Sequence, residues 1–271
     1  MTTMTNLSVE TLTTDYPQVE IPVFESDIFK DHPEAAFFVG ALALKQEIGD
    51  EGISLPTAYT AARQLRYRSY THPRNNYISV DSRDEDSGEH DVNDARSVQI
   101  GVVENLTAGG LARLVGTARL IIKESPEDLL PVEIDFPEVF ADAPAPLLSG
   151  EDSRYVAEHE DSNVQHGIAN ALIRAKSGWM TINEHGPAYA MVEPHLLRTF
   201  QATRVPVNKI SEFKMIPEYN NTKNAVIRMN PPEVFRYASS LSTDLSHTPA
   251  GFGYFDKALG FIDLRTAKRG L

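Results

Sequence analysis

The segment GEDSRYVAEHE, residues 150–160, decides the interpretation of this chain. It places Glu151, Ser153 and Arg154 on a short predicted strand that leads into a helix. In an extended segment, residues two apart share a face and residues three apart face opposite sides. The spacing therefore predicts Glu151 and Ser153 on one face of a sheet and Arg154 on the other. One face could hold an acid or base towards a cleft while the other anchors an arginine in a buried ionic network.

The segments after this strand alternate between helical and extended patterns. Apolar residues recur at helical intervals from Val164 to Ala175, which predicts a long helix with Ser162 or Asn163 as its N-cap. Further elements are predicted in order: a strand over 187–193, a short helix from Pro194, two strands around Asn220 and Asn221, and a helix from Pro231.

The segments before it predict a hairpin and further helices. Two β-like runs, 97–104 and 111–123, are joined by NLTAGG, whose glycines favour a chain reversal and hence an antiparallel hairpin. A helix is predicted near Pro56, and one or two short helices are predicted after Ser26, including the apolar stretch Ala35 to Leu44. Residues 124–150 hold five of the 17 prolines, which indicates a crossing loop with short helical pieces.

This order of elements predicts a mixed α/β (α+β) protein with an antiparallel part. No repeat of fixed period is visible. Residues 1–20 are polar and rich in threonine, so we expect a flexible N-terminal arm. Residues 21–271 are expected to form a single domain in which 206–271 is a C-terminal extension.

Composition and charge exclude several classes of function. The formal net charge of -13 repels nucleic acid and anionic lipid, so no nucleic-acid partner is expected. The absence of cysteine excludes disulfides, thiolate zinc sites, iron–sulfur clusters and a cysteine nucleophile. The first residues lack the pattern of a secretory leader, and no run of 18 uncharged apolar residues occurs. A cytoplasmic protein without an integral membrane segment is expected.

The common catalytic and metal-binding motifs are absent from the sequence. The acidic loop 81–94 fails the EF-hand template, because Gly88 falls at position 5 when Asp84 is position 1. A solvated loop is favoured there over a metal site. The histidines lack zinc-binding spacing, and no nucleophile elbow, P-loop or dinucleotide-binding glycine set occurs. No metal is expected.

Four short motifs follow one another within residues 58–205: RYRSY with Arg66 and Tyr70, DVND with Asp91 and Asp94, VGTARLI with Arg119, and EDSRY with Glu151, Ser153, Arg154 and Tyr155. In this order they resemble the acyl-homoserine-lactone synthases and the N-acyl amino acid synthases, a branch of the GNAT acyltransferase superfamily. Tyr77 stands where that branch has a further aromatic residue.

The resemblance implies a GNAT-like central mixed, mostly antiparallel sheet with helices on both faces and a splayed pair of central strands near 152–157 and 187–193. An acyl-pantetheine arm would thread between those strands and pass its acyl group directly to an amine. The donor would be acyl-CoA or an acyl carrier protein, with no tightly bound cofactor. The C-terminal part is a candidate for a homodimer surface.

The resemblance also implies roles for individual residues. Glu151 would be the base, acting through water, with a structural partnership with Arg119 as the alternative. Ser153 would supply a supporting hydrogen bond. A network ordering the N-terminal region over the acceptor pocket would consist of Arg66, Tyr70, Asp91, Asp94, Arg119 and Arg154. Candidates for the acyl tunnel are Trp179, Met180, Leu197 and Phe200, for which core packing is the alternative.

One departure from ordinary GNAT domains concerns the donor. The glycine-rich pyrophosphate loop is missing, and the acidic Glu158, Glu160 and Asp161 stand in its place. A docking patch would then need other cations, for which the candidates are Arg174, Lys176 and Arg198.

The function expected is an N-acyltransferase that moves a fatty acyl group to the amine of a small acceptor such as an amino acid. The alternatives are an acyl-homoserine-lactone synthase that uses S-adenosylmethionine and a non-catalytic ligand-binding or interaction module.

Overall fold

A computed structural model describes residues 24–25, 37–43, 57–71, 88–89, 91–106, 111–241, 253–256 and 260–263. The predicted arm over residues 1–20 and the aromatic Tyr77 lie outside these ranges.

A single mixed sheet organises the described residues. Its strands are β1 Phe24–Glu25, β2 Phe37–Ala43, β3 Ser97–Asn105, β4 Leu111–Ile122, β5 Gly150–Ala157, β6 Ala188–Val192, β7 Val207–Lys209, β8 Lys214–Ile216, β9 Thr222–Met229, β10 Gly253–Asp256 and β11 Gly260–Asp263. Their order is β11-β10-β2-β3-β4-β5-β6-β9-β7, with β1 beside β4 and β8 beside β9. Among the described pairs, only β2 with β10 and β5 with β6 are parallel. The predicted mixed, mostly antiparallel sheet is confirmed.

Helices cover both faces of this sheet. They are α1 Thr57–Thr71, α2 Pro131–Asp135, α3 Pro137–Phe140, α4 Ser162–Ile182, α5 Pro194–Ala202 and α6 Pro231–Ser240. Neighbouring residues of β4 show the two faces. Leu120 packs in a core with Leu172 of α4, whereas Ile121 packs with Val132 of α2. The alternation of a strand thus builds two cores, and the predicted helices on both faces are confirmed.

The predicted hairpin and long helix form and pack against each other. β3 and β4 pair antiparallel, and α4 lies across them with Ile168 and Leu172 buried. Gly116 on β4 permits the close approach, because a Cβ there would lie 2.5 Å from Cγ2 of Ile168. The N-cap of α4 is Asp161, one residue before the predicted pair, and its carboxylate accepts hydrogen bonds from the backbone N–H groups of Asn163 and Val164.

The helix predicted over the apolar stretch Ala35 to Leu44 is wrong. Residues Phe37–Ala43 form β2, which pairs antiparallel with β3. A strand flanked by neighbours on both sides and covered on its faces reads as a continuous apolar run, which periodicity cannot distinguish from a buried helical segment. The short helices α2 and α3 confirm the prediction for residues 124–150.

Candidate active site

The central parallel strands separate soon after they meet. β5 and β6 pair at Gly150 with Ala188 and at Glu151 with Tyr189, and no later residues of the two strands pair. The start of β5 packs closely, since a Cβ on Gly150 would lie 2.9 Å from the side chain of Met180. The predicted splayed pair of central strands is therefore present.

A cavity of about 900 Å³ occupies the opening between these strands. Residues 151–155 of β5 and 190–192 of β6 line it, together with parts of α4, α5, α6 and β9. Most of the wall is apolar, with Ile173 and Phe200 among its side chains. Its volume lies within the range of pockets that hold a drug-sized ligand.

Glu151 lies where the two strands part, and it is buried, with 1% exposed. Its Oε2 accepts a hydrogen bond from the backbone N–H of Val132, 2.8 Å away. Burial raises the pKa of Glu151 to about 8, against the opposing effects of that hydrogen bond and of the charge on Arg119. Ion pairs between Glu151 and basic side chains are absent from the described residues, and Arg119, the predicted alternative partner, acts on Glu151 through its charge. A carboxyl with this pKa can exchange protons near neutral pH.

Buried ion pairs connect Arg66 and Arg119 beside the cavity. Nη2 of Arg66 lies 2.8 Å from Oδ2 of Asp94, and Nη1 of Arg119 lies 2.8 Å from Oδ1 of the same residue. Arg119 also donates a hydrogen bond from Nε to Oγ of Ser153 over 3.1 Å. Asp94 thus joins α1 to β4, while Ser153 joins β4 to β5.

Arg154 extends the same network to the wall of the cavity. Its Nε lies 2.8 Å from Oε1 of Glu89 and its Nη2 lies 3.2 Å from Oδ2 of Asp91. Glu89 also binds Nε of Arg66 at 2.9 Å, and Asp91 binds Nη1 of Arg119 at 2.6 Å. Three arginines therefore face three carboxylates, and their formal charges balance.

Burial and the arginine charges act in opposite directions on the pKa of the aspartates in this network. Burial opposes the ionisation of Asp91 and Asp94, but the neighbouring guanidinium groups outweigh it and lower the pKa of both. Breaking such a pair leaves an uncompensated charge, so the network fixes Glu89, Asp91 and Asp94 against the sheet.

The prediction that Glu151 and Arg154 face opposite sides is wrong. Arg154 has a left-handed backbone with φ of 53°, and the pairing of β4 with β5 shifts register between Thr117 and Arg119. A β-bulge places an extra residue in one strand and turns its side chain out of the alternation. Ser153 and Arg154 consequently reach the same network, on the side of Glu151.

Two aromatic residues flank the Arg154 guanidinium. Its central carbon lies 5.9 Å from the ring centres of both Tyr70 and Tyr219. Tyr219 comes from the segment 206–271, which the sequence motifs do not cover, and it follows β8 just before the left-handed turn at Asn220 and Asn221. Both tyrosines line the cavity, so a residue of the C-terminal extension completes the site.

The four candidates for the acyl tunnel differ in position. Phe200 lines the cavity, and Met180 lines an adjoining apolar pocket of about 40 Å³ that Phe200 also borders. Trp179 stacks on His185 with ring centres 4.8 Å apart, and Leu197 packs in the core on α5. Trp179 and Leu197 therefore lie away from the cavity wall.

The acidic residues before α4 have local partners. Glu158 forms an ion pair with Arg68, and Glu160 lies 3.3 Å from a guanidinium nitrogen of Arg113. Two backbone donors at the start of α4, the N–H groups of Asn163 and Val164, bind the Asp161 carboxylate. The Asp161 carboxylate thus occupies donors that a phosphate group at this helix end would use.

The predicted docking patch is altered by the burial of Lys176. Its ammonium group binds Asp152 and lies 4.7 Å from the ring centre of Tyr155, inside the protein. Lys176 is therefore unable to serve as a surface contact for a donor. Arg198 is exposed, and Arg174 is partly exposed on α4.

Several solved structures share this fold. BjaI, a CoA-dependent acyl-homoserine lactone synthase solved with SAM and isopentyl-CoA, aligns with a TM-score of 0.53 and 16% identity over 79% of this chain and 99% of its own. TofI, in a ternary complex with an inhibitor and MTA, aligns with a TM-score of 0.52 and 16% identity over 78% and 99%.

This chain has the fold of the acyl-homoserine-lactone synthases. FeeM, an N-acyl amino acid synthase from uncultured soil microbes, shares it with a TM-score of 0.51 and 14% identity over 74% of this chain and 93% of its own. No protein-family model matches the sequence, and no curated protein matches it either. The resemblance inferred from the four motifs is confirmed at the level of the synthase fold.

Metal clusters and membrane-spanning helices are both missing from the part of the synthase fold that the structure describes. In the described ranges, histidine, aspartate and glutamate side chains form no group of three suited to a metal ion. The helices of those ranges include none long and apolar enough to cross a bilayer.

Proposed function

We propose that the protein is an N-acyltransferase that passes a fatty acyl group from an acyl thioester to the amine of a small acceptor such as an amino acid. The observation that carries the proposal is the parting of β5 from β6 around a largely apolar cavity with a buried carboxyl, Glu151, at the point of divergence. The apolar part of the cavity suits the acyl chain of the donor, and the side next to the ionic network suits the amine acceptor.

The acyl chain has an apolar place to go. Ile173 of α4, Phe200 of α5 and Ile227 of β9 line the cavity beyond the strands, where a hydrocarbon chain leaves water at a gain of about 0.8 kcal/mol per CH₂ group. The thioester carbonyl would then lie between the strands, next to Glu151.

Glu151 is the proposed base. The acceptor binds as an ammonium ion, and the carboxylate takes one proton from it through a water molecule. The amine nitrogen then forms a bond to the thioester carbonyl carbon. The C–S bond breaks as the tetrahedral intermediate collapses, and the thiolate leaves with a proton from the nitrogen. An amide and a thiol result.

The ionic network supports this chemistry by holding the site rigid. Ser153 and Arg154 belong to it, and they keep the acceptor side of the cavity in place through Asp91 and Asp94. The proposed donor is acyl-CoA or an acyl carrier protein, and BjaI, which was solved with isopentyl-CoA, supports the first. The amino acid acceptor follows the name of FeeM. A cytoplasmic location belongs to this proposal, because acyl thioesters are made there.

The decisive experiment is product analysis. Purified protein is incubated with acyl-CoA or acyl carrier protein donors of several chain lengths and with a panel of amino acids, and amides are sought by mass spectrometry. S-adenosylmethionine forms a separate arm, in which a lactone product would identify the alternative synthase. Binding of the acyl donors without any product in all arms would overturn the proposal in favour of a non-catalytic binding module.

Glu151→Gln is the matched control in that experiment. It preserves the volume of the side chain and an acceptor oxygen for the Val132 N–H, but it removes the base. Loss of turnover with retained donor binding is expected, and unchanged turnover would remove Glu151 from the mechanism.

A further inference from the structure

A buried ion pair separate from the arginine network lies close to Glu151, next to the residue that donates to it. Nζ of Lys123 is 2.7 Å and 2.8 Å from the two carboxylate oxygens of Glu133, and both side chains are almost fully buried. Lys123 directly follows β4, and Glu133 lies on the five-residue helix α2. The pair therefore joins the edge of the central strands to the segment that crosses beneath them.

The Glu133 carboxylate also binds two backbone groups of that segment. Its Oε2 accepts from the N–H of Leu130 over 2.9 Å, and its Oε1 accepts from the N–H of Ala145 over 3.0 Å. The first contact is the reach-back of a helix N3 glutamate to the N-cap residue. Together with Lys123, four hydrogen bonds satisfy both oxygens, so this carboxylate is fully compensated inside the protein.

The same helical turn provides the hydrogen bond to the proposed base. Val132 lies between Leu130 and Glu133, and its N–H donates to Oε2 of Glu151 over 2.8 Å. Lys123 is in turn tied to the strand that carries Glu151, since its backbone N–H donates to the carbonyl of Ser149, next to the start of β5. Glu133 thus sits between the residue that donates to Glu151 and the strands that carry it.

Apolar packing already holds α2 on the sheet. Leu130, Val132 and Phe136 belong to one buried cluster with Ile121 and Tyr189. Non-directional packing of this kind positions a helix but leaves the rotation about its own axis weakly determined. A carboxylate that binds the first turn at fixed distances determines that rotation, and with it the direction of the Val132 N–H.

We propose that Glu133, locked by Lys123, is a positioning residue that holds the Val132 N–H on the carboxylate of Glu151. A role for Glu133 in catalysis rests on the proposed function, whereas its contacts with Lys123, Leu130 and Ala145 are independent of that function. Buried ion pairs can often be replaced by neutral side chains of similar volume without loss of stability. The distinguishing effect must therefore be sought at Glu151 itself.

The experiment measures the pKa of Glu151 by ¹³C NMR of labelled carboxyl groups, with the signal assigned by its loss in Glu151→Gln. The double variant Lys123→Met/Glu133→Gln removes both charges at nearly constant volume. The amide that replaces the Glu133 carboxylate can no longer accept all of the former hydrogen bonds, so the Val132 N–H loses its alignment. Since that hydrogen bond stabilises the charged form, the pKa of Glu151 is expected to rise by about one pH unit.

Two further variants complete the test. Glu138→Gln is the matched control on the adjacent helix α3, because Glu138 is exposed and pairs with Lys214 at the surface. It should leave the pKa of Glu151 unchanged. Glu133→Asp is the alternative variant in case the double variant does not fold. It keeps a charge beside Lys123 but is one methylene shorter, so it should lose the contact with Leu130 and raise the pKa of Glu151.

The outcomes separate this inference from the proposed function. An unchanged or lowered pKa of Glu151 in a folded variant overturns the positioning role. A raised pKa supports it even if the protein transfers no acyl group. If acyl transfer is found, the pH profile of kcat/KM should move to higher pH by the same amount in the variant and stay in place for Glu138→Gln.

Discussion

Replacing Glu151 by glutamine removes an ionisable proton from the buried end of the cavity while nearly preserving the side-chain volume. In the folded protein, burial raises the pKa of this carboxyl from its ordinary value of 4.5 to about 8. The folded state therefore keeps its proton over a range in which the unfolded chain has lost it. The contribution of the protonated Glu151 to the free energy of unfolding is complete below pH 4.5 and is lost as the pH rises through about 8.

The size of the effect follows from the gap between the two pKa values. Each pH unit within that gap costs the wild type about 1.4 kcal/mol relative to a group that does not titrate. At pH 7 the loss amounts to about 3 kcal/mol, whereas at pH 5 it is below about 1 kcal/mol. Glu151→Gln does not titrate, so its stability relative to the wild type should rise by roughly 2 to 3 kcal/mol between pH 5 and pH 7.

Urea unfolding of both proteins at closely spaced pH values measures this difference. Tryptophan fluorescence is a suitable signal, because the single Trp179 is buried against His185. A difference in unfolding free energy that stays constant from pH 5 to pH 8 would refute the reasoning, since it would mean that Glu151 titrates alike in the folded and unfolded states.

Three further predictions concern activity and the ionic network. The kcat/KM for amide formation should fall about tenfold per pH unit below pH 8, because only the ionised Glu151 can accept a proton; a flat profile over pH 6 to 8 would contradict this. Arg119→Leu should cost about 3 to 5 kcal/mol in urea unfolding by leaving buried carboxylates uncompensated, whereas Arg113→Leu at a partly exposed pair should cost about 1 kcal/mol or less. Equal costs would show that burial of the network is unimportant. Phe200→Ala should raise kcat/KM for longer acyl chains relative to shorter ones by about tenfold, while Leu197→Ala should lose stability without changing that preference.

The elements with a regular pattern could be predicted from the sequence. The hairpin of β3 and β4 is marked by two β-like runs and a glycine-containing link, and α4 by apolar residues at helical intervals. The strand β2 could not be predicted in this way, because its apolar residues do not alternate with polar ones. The partners that make it a strand, β3 and β10, are distant in the sequence.

The candidate site was predictable only in part. The order of four short motifs located Glu151, Arg154 and their network, but Glu89 was missed because it lies in a run of acidic residues that has the composition of a solvated loop. Its burial depends on Arg66 and Arg154, which come from distant elements. The bulge at Arg154 was also hidden, since a change of register between two strands leaves no mark in the composition of either one.

The short pairing of β5 with β6 has a consequence for what can fill the opening. Past Glu151, the backbone amide and carbonyl groups that β5 turns towards β6 have no strand opposite them. Such groups require water or a polar ligand, so a pure hydrocarbon chain lodged between the strands would leave them unsatisfied. The fold therefore sets the polarity of a long ligand along its length. The part held between the strands must carry hydrogen-bonding groups of its own, and only the part beyond the strands can be pure hydrocarbon.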